Sequence, residues 1–288
     1  DEAGIAAQRE RVELLKTGLD SALRDDLAGD RASAVRHLRS LADELVEKTV
    51  WIVGGDGWAY DIGYGGLDHV LSSGRNVNIL ILDTEVYSNT GGQASKATPR
   101  GASAKFAASG KTSAKKDLAM IAQASGDVYV AQVAIGANEQ QAVRALLEAQ
   151  AWPGVSVVIA YATCIAHGIE MSTSMSHQKT AVASGYWPLT RYRPSEEAEG
   201  HPFKLDSKRP TIPIREFALA ETRFSMLARS DHEHSEHLLA LSQADADERW
   251  RLYSQLAGVE RTVPHEASLA ENAEAVAPEG AQPEVSKS

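Results

Sequence analysis

Hydrophobic residues in the first 48 positions recur at steps of three and four between charged residues. The repeating positions are Ile5, Val12, Leu15, Leu19, Leu23, Leu27, Val35, Leu38, Leu41 and Leu45. This spacing is the period of an amphipathic α-helix. We therefore expect residues 1–48 to form a helical arm.

From Thr49 onward, short hydrophobic runs rich in β-branched residues alternate with helical windows. The strand candidates are residues 50–55, 76–83, 127–136 and 154–164, and the helical windows lie at about 61–73, 113–125 and 138–151. Nearly continuous hydrophobic runs are typical of parallel strands covered on both faces. The alternation predicts a doubly wound parallel α/β sheet within residues 49–230.

The remaining third of the chain shows three further patterns. Residues 186–214 contain five prolines and little periodicity, which predicts an extended surface segment. The helical period returns over about 215–258, so residues 231–263 are expected to form a C-terminal helical segment. Residues 264–288 are rich in Ala, Glu and Pro without aromatic residues, and this composition predicts a disordered tail.

Composition narrows the classes of protein that fit. The 288 residues include 29 Lys and Arg against 39 Asp and Glu, a formal net charge of −10. This acidic balance argues against nucleic-acid binding, which needs clustered basic side chains. No hydrophobic run approaches the ~18 residues of a membrane span, so we expect a cytoplasmic protein without a membrane partner. The chain begins with Asp1 inside a helical pattern, and we interpret it as part of a longer polypeptide.

The loop after the first strand candidate reads GGDGWAYDIGYGG from Gly54. Glycines on both sides of Asp56 allow a phosphate to approach the backbone, and the following helix directs free N–H groups toward the same point. A carboxylate there would repel phosphate unless a cation lay between them, so Asp56 indicates a divalent metal, with magnesium favoured. A lone Gly-Asp-Gly is equally typical of an ordinary turn.

The loop after the second strand candidate, LDTEVYSNTGGQ, strengthens the metal interpretation. Adjacent parallel strands end side by side at the edge of a sheet where ligands bind. Thr84 follows Asp56 by 28 residues. We expect its hydroxyl, and the carbonyl of Val86, to reach the same cation.

The paired loops resemble the thiamine diphosphate signature, although many enzymes of that superfamily carry Asn where this chain has Thr84. The longer stretches GDGWAYDIGYGGLDHVLSSG, LDTEVYSNTGGQASKATPRGASAKFAASGKTSAKKDLA, VIAYATCIAHG and SGYWPL are similar to the C-terminal thiamine-binding domain of single-chain pyruvate:ferredoxin (flavodoxin) oxidoreductases. The resemblance covers residues 49–230, and in that family Thr is the usual residue at this position.

The resemblance implies roles for particular residues. The magnesium ligands would be Asp56, Thr84 and the carbonyl of Val86, with Asn89 close to the diphosphate and the thiazolium. Close backbone approach would be provided by Gly55 and Gly57, and residues 60–62, Tyr60, Asp61 and Ile62, would begin a helix over the phosphates or serve only the structure. The activating glutamate would come from another domain, so the catalytic residues of this chain stay unknown.

Cys164, the only cysteine, directly follows the apolar run VSVVIAYAT and so lies at the carboxyl end of the last strand candidate. From the residues alone, a single buried cysteine is more often a small hydrophobic residue than a ligand. The resemblance instead implies the fourth ligand of a 4Fe-4S cluster, whose other three cysteines would come from segments upstream of this chain. A cluster therefore cannot be held by this chain alone.

No acidic residue occurs between Glu85 and Asp117, whereas six basic ones do: Lys96, Arg100, Lys105, Lys111, Lys115 and Lys116. This run is either a solvated loop face or a positive field that attracts an anionic partner, such as coenzyme A or an acidic electron carrier. Three histidines, His69, His167 and His177, show no spacing to a nucleophile or metal set, so a structural or surface role is expected.

The resemblance implies oxidative decarboxylation of pyruvate with coenzyme A, with electrons passed through 4Fe-4S clusters to ferredoxin or flavodoxin. Thiamine diphosphate and Mg²⁺ would be the further cofactors, and the remaining domains of a homodimeric enzyme the partners. The alternatives are an inactive thiamine-binding fragment, another 2-oxoacid oxidoreductase, or a thiamine-dependent decarboxylase.

Overall fold

The computed structural model describes residues 2–24, 29–46, 48–194 and 200–262, so the predicted tail at 264–288 lies outside the described residues. The chain divides into two compact units, Asp1–Val50 and Trp51–Ser288. The first unit contains helices α1 (Glu2–Arg24) and α2 (Gly29–Leu41) and a 3₁₀ turn at Ala42–Leu45. The helices predicted within residues 1–48 are therefore confirmed.

A six-stranded sheet forms the centre of the second unit. Its strands are β1 (Trp51–Gly55), β2 (Val77–Asp83), β3 (Val128–Val133), β4 (Val155–Tyr161), β5 (Thr190–Tyr192) and β6 (Phe203–Leu205). Their order in the sheet is β1-β2-β4-β3-β5-β6. The first four strands pair in parallel and confirm the predicted α/β sheet, while β5 and β6 extend it in antiparallel fashion.

Helices connect the strands and cover the sheet. They are α3 (Tyr64–Leu71), α4 (Leu118–Ala124), α5 (Glu139–Ala151), α6 (Ser174–Ala183), α7 (Ile214–Ala218), α8 (Thr222–Ser230) and α9 (His232–Leu256). A π-helical turn, Gly57–Ile62, precedes α3, and two 3₁₀ turns, Ile165–His167 and Met171–Thr173, follow β4.

Burial on both faces explains the continuous hydrophobic runs. In β3, Tyr129, Ala131 and Val133 pack in a cluster with alanines of α5. The alternating residues Val128 and Val130 belong to a larger cluster that includes residues of α3, α4, α7 and α9. Successive side chains of a strand point to opposite faces of the sheet. Because both faces are covered, each parallel strand needs hydrophobic residues at its odd and its even positions.

The strand register brings three loops to one edge of the sheet. Gly55 at the end of β1 is opposite Leu82, and Asp83 at the end of β2 is opposite Tyr161 of β4. The next residues along the chain, Asp56, Thr84 and Ala162, therefore start their loops side by side. The predicted strands at 127–136 and 154–164 end earlier than expected, at Val133 and Tyr161, because the following residues belong to these loops.

The predicted helix at 113–125 is wrong in its first turn, because α4 begins only at Leu118. The side chain of Asp117 accepts a hydrogen bond from the backbone N–H of Met120 at 3.0 Å and so caps this helix. A cap residue has non-helical backbone angles, which places residues 113–116 in the preceding loop.

The expectation of an extended surface segment at 186–214 is also wrong for its first part. Trp187, Leu189 and Tyr192 are all buried, and the segment supplies β5 and β6. Strands of three residues are too short to show the alternation that identifies a strand from sequence. None of the helices within the described ranges is long and apolar enough to cross a membrane.

Gly136, which follows β3, offers a test of this packing. A Cβ atom at Gly136 would lie 2.5 Å from the carbonyl oxygen of Met175 and 2.7 Å from its Cα, so the backbone of α6 would have to move. We expect Gly136→Ala to lower the free energy of unfolding by about 1–3 kcal/mol. The control is Gly66→Ala in α3, where nothing lies within 4 Å of the added atom. Urea unfolding of the 288-residue chain measures both, and equal stabilities would contradict the described packing.

Candidate thiamine diphosphate and metal site

Three oxygen atoms from two neighbouring loops converge at the carboxyl edge of the sheet. The hydroxyl oxygen of Thr84 lies 2.8 Å from Asp56 Oδ1 and 3.1 Å from the carbonyl oxygen of Val86. The backbone N–H of Thr84 also donates to Asp56 Oδ1 at 3.2 Å. The structure thus brings together the three groups that the sequence analysis selected as metal ligands.

The spacing of these oxygens fits a small octahedral cation. Neighbouring ligands of Mg²⁺, each about 2.1 Å from the ion, lie roughly 3.0 Å apart. The donors are one carboxylate, one hydroxyl and one carbonyl, all hard oxygen ligands. In the described part of the chain, no three His, Cys, Asp or Glu side chains form a metal-binding group by themselves. Any cation here would therefore need this mixed oxygen set, completed by phosphate or water oxygens.

Asp56 carries the electrostatic argument for a cation. Its side chain is buried, at 1% exposure, and Ser95 donates to Oδ2 at 3.2 Å. Burial, together with the nearby Asp83 carboxylate, raises the pKa of Asp56 to about 6. Among the described residues no basic side chain forms an ion pair with Asp56. A bound divalent cation would supply the missing positive charge.

The other residues implied by the family resemblance have varied surroundings. A Cβ atom at Gly55 would meet nothing within 4 Å, whereas one at Gly57 would lie 2.5 Å from the ring of Tyr87. Asn89 is exposed. Residues 60–62 end the π-helical turn instead of beginning a helix. The hydroxyl of Tyr60 donates to the carboxylate of Asp83 at 2.6 Å, and the carboxylate of Asp61 accepts from the backbone N–H of Lys96 at 3.0 Å. The side chain of Ile62 is exposed.

Two loops meet at this site, and we name them by their residues: the metal-ligand loop, residues 84–92, and the cysteine loop, residues 162–168. Ser88 connects them, because its hydroxyl lies 2.8 Å from the hydroxyl of Thr84 and 3.3 Å from Cys164 Sγ. Cys164 is 9% exposed. With one cysteine in its sequence, this chain could provide one of the four thiolates of a 4Fe-4S cluster.

Beneath the metal-ligand loop lies a buried ion network centred on Glu85. Lys115 Nζ lies 3.2 Å from one oxygen of Glu85 and 2.8 Å from Asp83, and Arg223 Nη2 lies 2.7 Å from the other Glu85 oxygen. Burial opposes ionisation of Glu85, but the two cations outweigh it and hold the pKa at about 2. Tyr186 also donates to Glu85. The carboxylate is therefore ionised and fixed from three sides.

The network continues into the start of α8 through Glu221. Arg223 Nε donates to Glu221 at 2.5 Å, and His177 Nε2 lies 2.7 Å from the other Glu221 oxygen. Burial raises the pKa of Glu221, but Arg223 and His177 more than compensate and lower it. Sequence reasoning missed Glu85, Glu221 and Arg223, because nothing in their spacing indicates a common site.

The basic run is only in part a solvated face, because Lys96 and Lys105 are exposed while the other four basic residues are partly buried. Lys115 turns inward to Asp83 and Glu85, and Arg100 pairs with Asp245 at 2.7 Å. Lys111 donates to the carbonyl of Thr98 at 2.5 Å. The ammonium of Lys116 lies 3.3 Å from the centre of the Tyr64 ring, and Lys96 lies 3.6 Å from Asp61. Much of the +6 charge is compensated within the fold, while Lys105 is exposed.

Of the three histidines, two lie inside the protein. His69 is exposed on α3, His177 is buried beside Glu221, and His167, itself in the cysteine loop, is completely buried. The motif CIAHG places His167 three residues after Cys164, and that short spacing was the signal available in the sequence.

A comparison with protein families indicates the class of protein that this chain resembles. Residues 32–160 match the family described as thiamine pyrophosphate enzyme, C-terminal TPP binding domain. The parallel sheet, the Gly-Asp-Gly loop and the converging oxygens agree with that match. This part of the chain is therefore similar to the thiamine diphosphate-binding domains of that family.

Relatives identify the enzyme that this domain resembles. The chain is 54% identical to pyruvate-flavodoxin oxidoreductase of Trichormus variabilis over 263 residues, covering 91% of the chain and 22% of the relative. The enzyme of that name from Rhodospirillum rubrum is 54% identical, and the match covers 90% of the chain and 21% of the relative. Pyruvate:ferredoxin oxidoreductase of Moorella thermoacetica is 56% identical, and the match covers 75% of the chain and 18% of the relative. The resemblance inferred from the motifs is confirmed, and the chain spans about a fifth of these relatives.

A solved structure also matches part of the chain. It is a 2-oxoglutarate:ferredoxin oxidoreductase from Magnetococcus marinus, at 24% identity and a TM-score of 0.40, covering 47% of this chain and 46% of that one. At this score the two chains superpose too loosely to relate individual residues.

Replacing Asp56 tests the candidate ligand set. Asp56→Asn removes the negative charge at nearly constant volume, so the Mg²⁺-dependent affinity for thiamine diphosphate should fall by more than about 10-fold, since even outer-shell changes cost 10- to 100-fold. Calorimetry on the full-length enzyme, with and without Mg²⁺, measures this. Asp68→Asn, an exposed carboxylate on α3, is the matched control. Equal affinities of the two variants would exclude Asp56 as a ligand.

Replacing Arg223 tests the buried network. Arg223→Met leaves Glu85 and Glu221 without their shared cation, so the free energy of unfolding should fall by about 3–5 kcal/mol. Arg215 forms an exposed ion pair with Glu236, and Arg215→Met should change it little. Urea unfolding of the 288-residue chain compares the two. A similar small loss for both would show that the buried network contributes little to stability.

Proposed function

We propose that this chain is the thiamine diphosphate domain of a pyruvate:ferredoxin or pyruvate:flavodoxin oxidoreductase. The reaction is the oxidative decarboxylation of pyruvate with coenzyme A to acetyl-CoA and CO₂, with electrons passed to iron–sulfur clusters. Support comes from the 54–56% identity to enzymes of those names. The substrates, the electron carrier, a homodimeric state and a cytoplasmic location belong to the proposal.

One observation carries this proposal: the candidate metal ligands and Cys164 lie against each other at one edge of the sheet. Ser88 Oγ is within 3.3 Å of both the Thr84 hydroxyl and Cys164 Sγ. A cysteine beside the metal site would place an iron–sulfur cluster next to bound thiamine diphosphate. That arrangement suits a thiamine enzyme that passes electrons to a cluster, and a non-oxidative decarboxylase has no use for it.

In this proposal the chain binds and orients the cofactors. Asp56, Thr84 and the Val86 carbonyl would hold Mg²⁺ and, through it, the diphosphate. Bound thiamine diphosphate supplies the carbon nucleophile and the electron sink for decarboxylation. The buried network keeps Glu85 ionised, so the backbone between Thr84 and Val86 holds one conformation. Cys164 would provide one thiolate, and the other three would come from the rest of the enzyme.

The experiment is pyruvate-dependent viologen reduction by the full-length enzyme, with acetyl-CoA formation followed by mass spectrometry. We expect Cys164→Ser to lose or alter one cluster signal in electron paramagnetic resonance and to reduce turnover, because a hydroxyl oxygen is a poorer iron ligand than a thiolate. Thr163→Ser, in the same loop, is the control.

Two outcomes would overturn the proposal. Full turnover with all cluster signals in the Cys164→Ser enzyme would remove the cysteine from the electron path. Turnover with another 2-oxo acid and none with pyruvate would assign a different substrate to the same domain.

A further inference from the structure

His167 belongs to the cysteine loop, and its buried side chain reaches the backbone of the metal-ligand loop. Its Nε2 atom lies 2.7 Å from the carbonyl oxygen of Thr84, and its Nδ1 atom lies 3.4 Å from the backbone nitrogen of Cys164. The side chain has 0% exposure. One imidazole ring therefore contacts the backbone of a candidate magnesium ligand and the backbone of the candidate cluster ligand.

The two contacts determine where the ring carries its proton. A backbone N–H only donates, so Nδ1 must accept from Cys164. The proton is then on Nε2, which donates to the carbonyl of Thr84. Burial lowers the pKa of His167 to about 4, which agrees with a neutral ring. Both ring nitrogens are thus engaged, one with each loop.

Other residues hold the ring in place without joining the loops. Tyr161 stacks on it, with ring centres 6.4 Å apart and an angle of 17° between the planes. Glu221 lies 3.6 Å from Nδ1 but is already engaged by His177 and Arg223. The second connection between the loops, Ser88, sits at the exposed rim, where water competes for its hydrogen bonds.

We infer that His167 is a positioning residue that holds Thr84 and Cys164 at a fixed separation, and so couples the geometry of the metal site to that of the cluster. This inference rests on the proposed function. A residue behind a ligand commonly fixes its orientation and affinity through such hydrogen bonds. His167 does so for two ligands of two different groups.

Two substitutions separate the contacts of the ring. His167→Asn keeps an acceptor near the position of Nδ1 and removes the donor to Thr84. His167→Gln keeps a donor near the position of Nε2 and removes the acceptor for Cys164. Each variant therefore preserves one half of the connection and breaks the other.

The readouts are cofactor binding and cluster spectroscopy in the full-length enzyme. For His167→Asn, we expect the dissociation constant of thiamine diphosphate with Mg²⁺ to rise about 10-fold, with the cluster signal and reduction potential unchanged. For His167→Gln, we expect affinity close to the wild type and a shifted reduction potential of the cluster nearest Cys164.

His69→Asn is the control, because it makes the same substitution at an exposed histidine of α3, outside both loops and outside the buried network. It should leave both readouts unchanged. The inference is overturned if both His167 variants match this control, or if both shift the two readouts together. Absence of thiamine diphosphate binding or of the Cys164-dependent signal in the wild type would instead reject the proposed function.

Hydrogen–deuterium exchange on the wild-type enzyme tests the coupling should both His167 variants fail to fold. Removing Mg²⁺ and thiamine diphosphate should raise amide exchange in residues 84–92 and also in residues 162–168. Increased exchange confined to the metal-ligand loop would show that His167 does not transmit the change.

Discussion

The ionised carboxylate of Glu85 is the group on which the site depends. Glu85 has a φ of 60°, the left-handed region, which costs a non-glycine residue of order 1 kcal/mol or more. This turn lets the Thr84 side chain and the Val86 carbonyl, on either side of it, approach within 3.1 Å. Lys115 and Arg223 hold the carboxylate from two directions, so the ion pairs stabilise the strained backbone that presents the oxygens.

Those parts of the site that follow strands were predictable from sequence. Asp56, Thr84 and Cys164 each follow a hydrophobic run, and parallel pairing of β1, β2 and β4 guarantees that their loops begin together. The physical reason is that buried strands leave an unmistakable hydrophobic pattern, while the polar residues just beyond them have little freedom in where they lie. The four parallel strands were predictable for the same reason.

The supporting residues were not predictable, because their partners are distant in sequence. Arg223 lies on a helix whose pattern indicates only an amphipathic surface, yet it reaches a carboxylate 138 residues away. Lys115 sits in a basic run that locally looks solvent-exposed. The carboxylates that pair with Lys115 and Arg100 are Asp83, Glu85 and Asp245, which only the tertiary fold brings near. Strands β5 and β6 could not be predicted within the Pro-rich segment, because each is only three residues long.

The pairing of Glu85 with Arg223 also sets the order of events during biosynthesis. At a translation rate of about 5–20 residues per second, roughly 7–28 s separate the synthesis of these two partners. Throughout that interval Glu85 lacks one of its two cations, and the turn between Thr84 and Val86 lacks part of its support. The nascent chain therefore acquires the complete set of contacts around Glu85 only after α8 has been made.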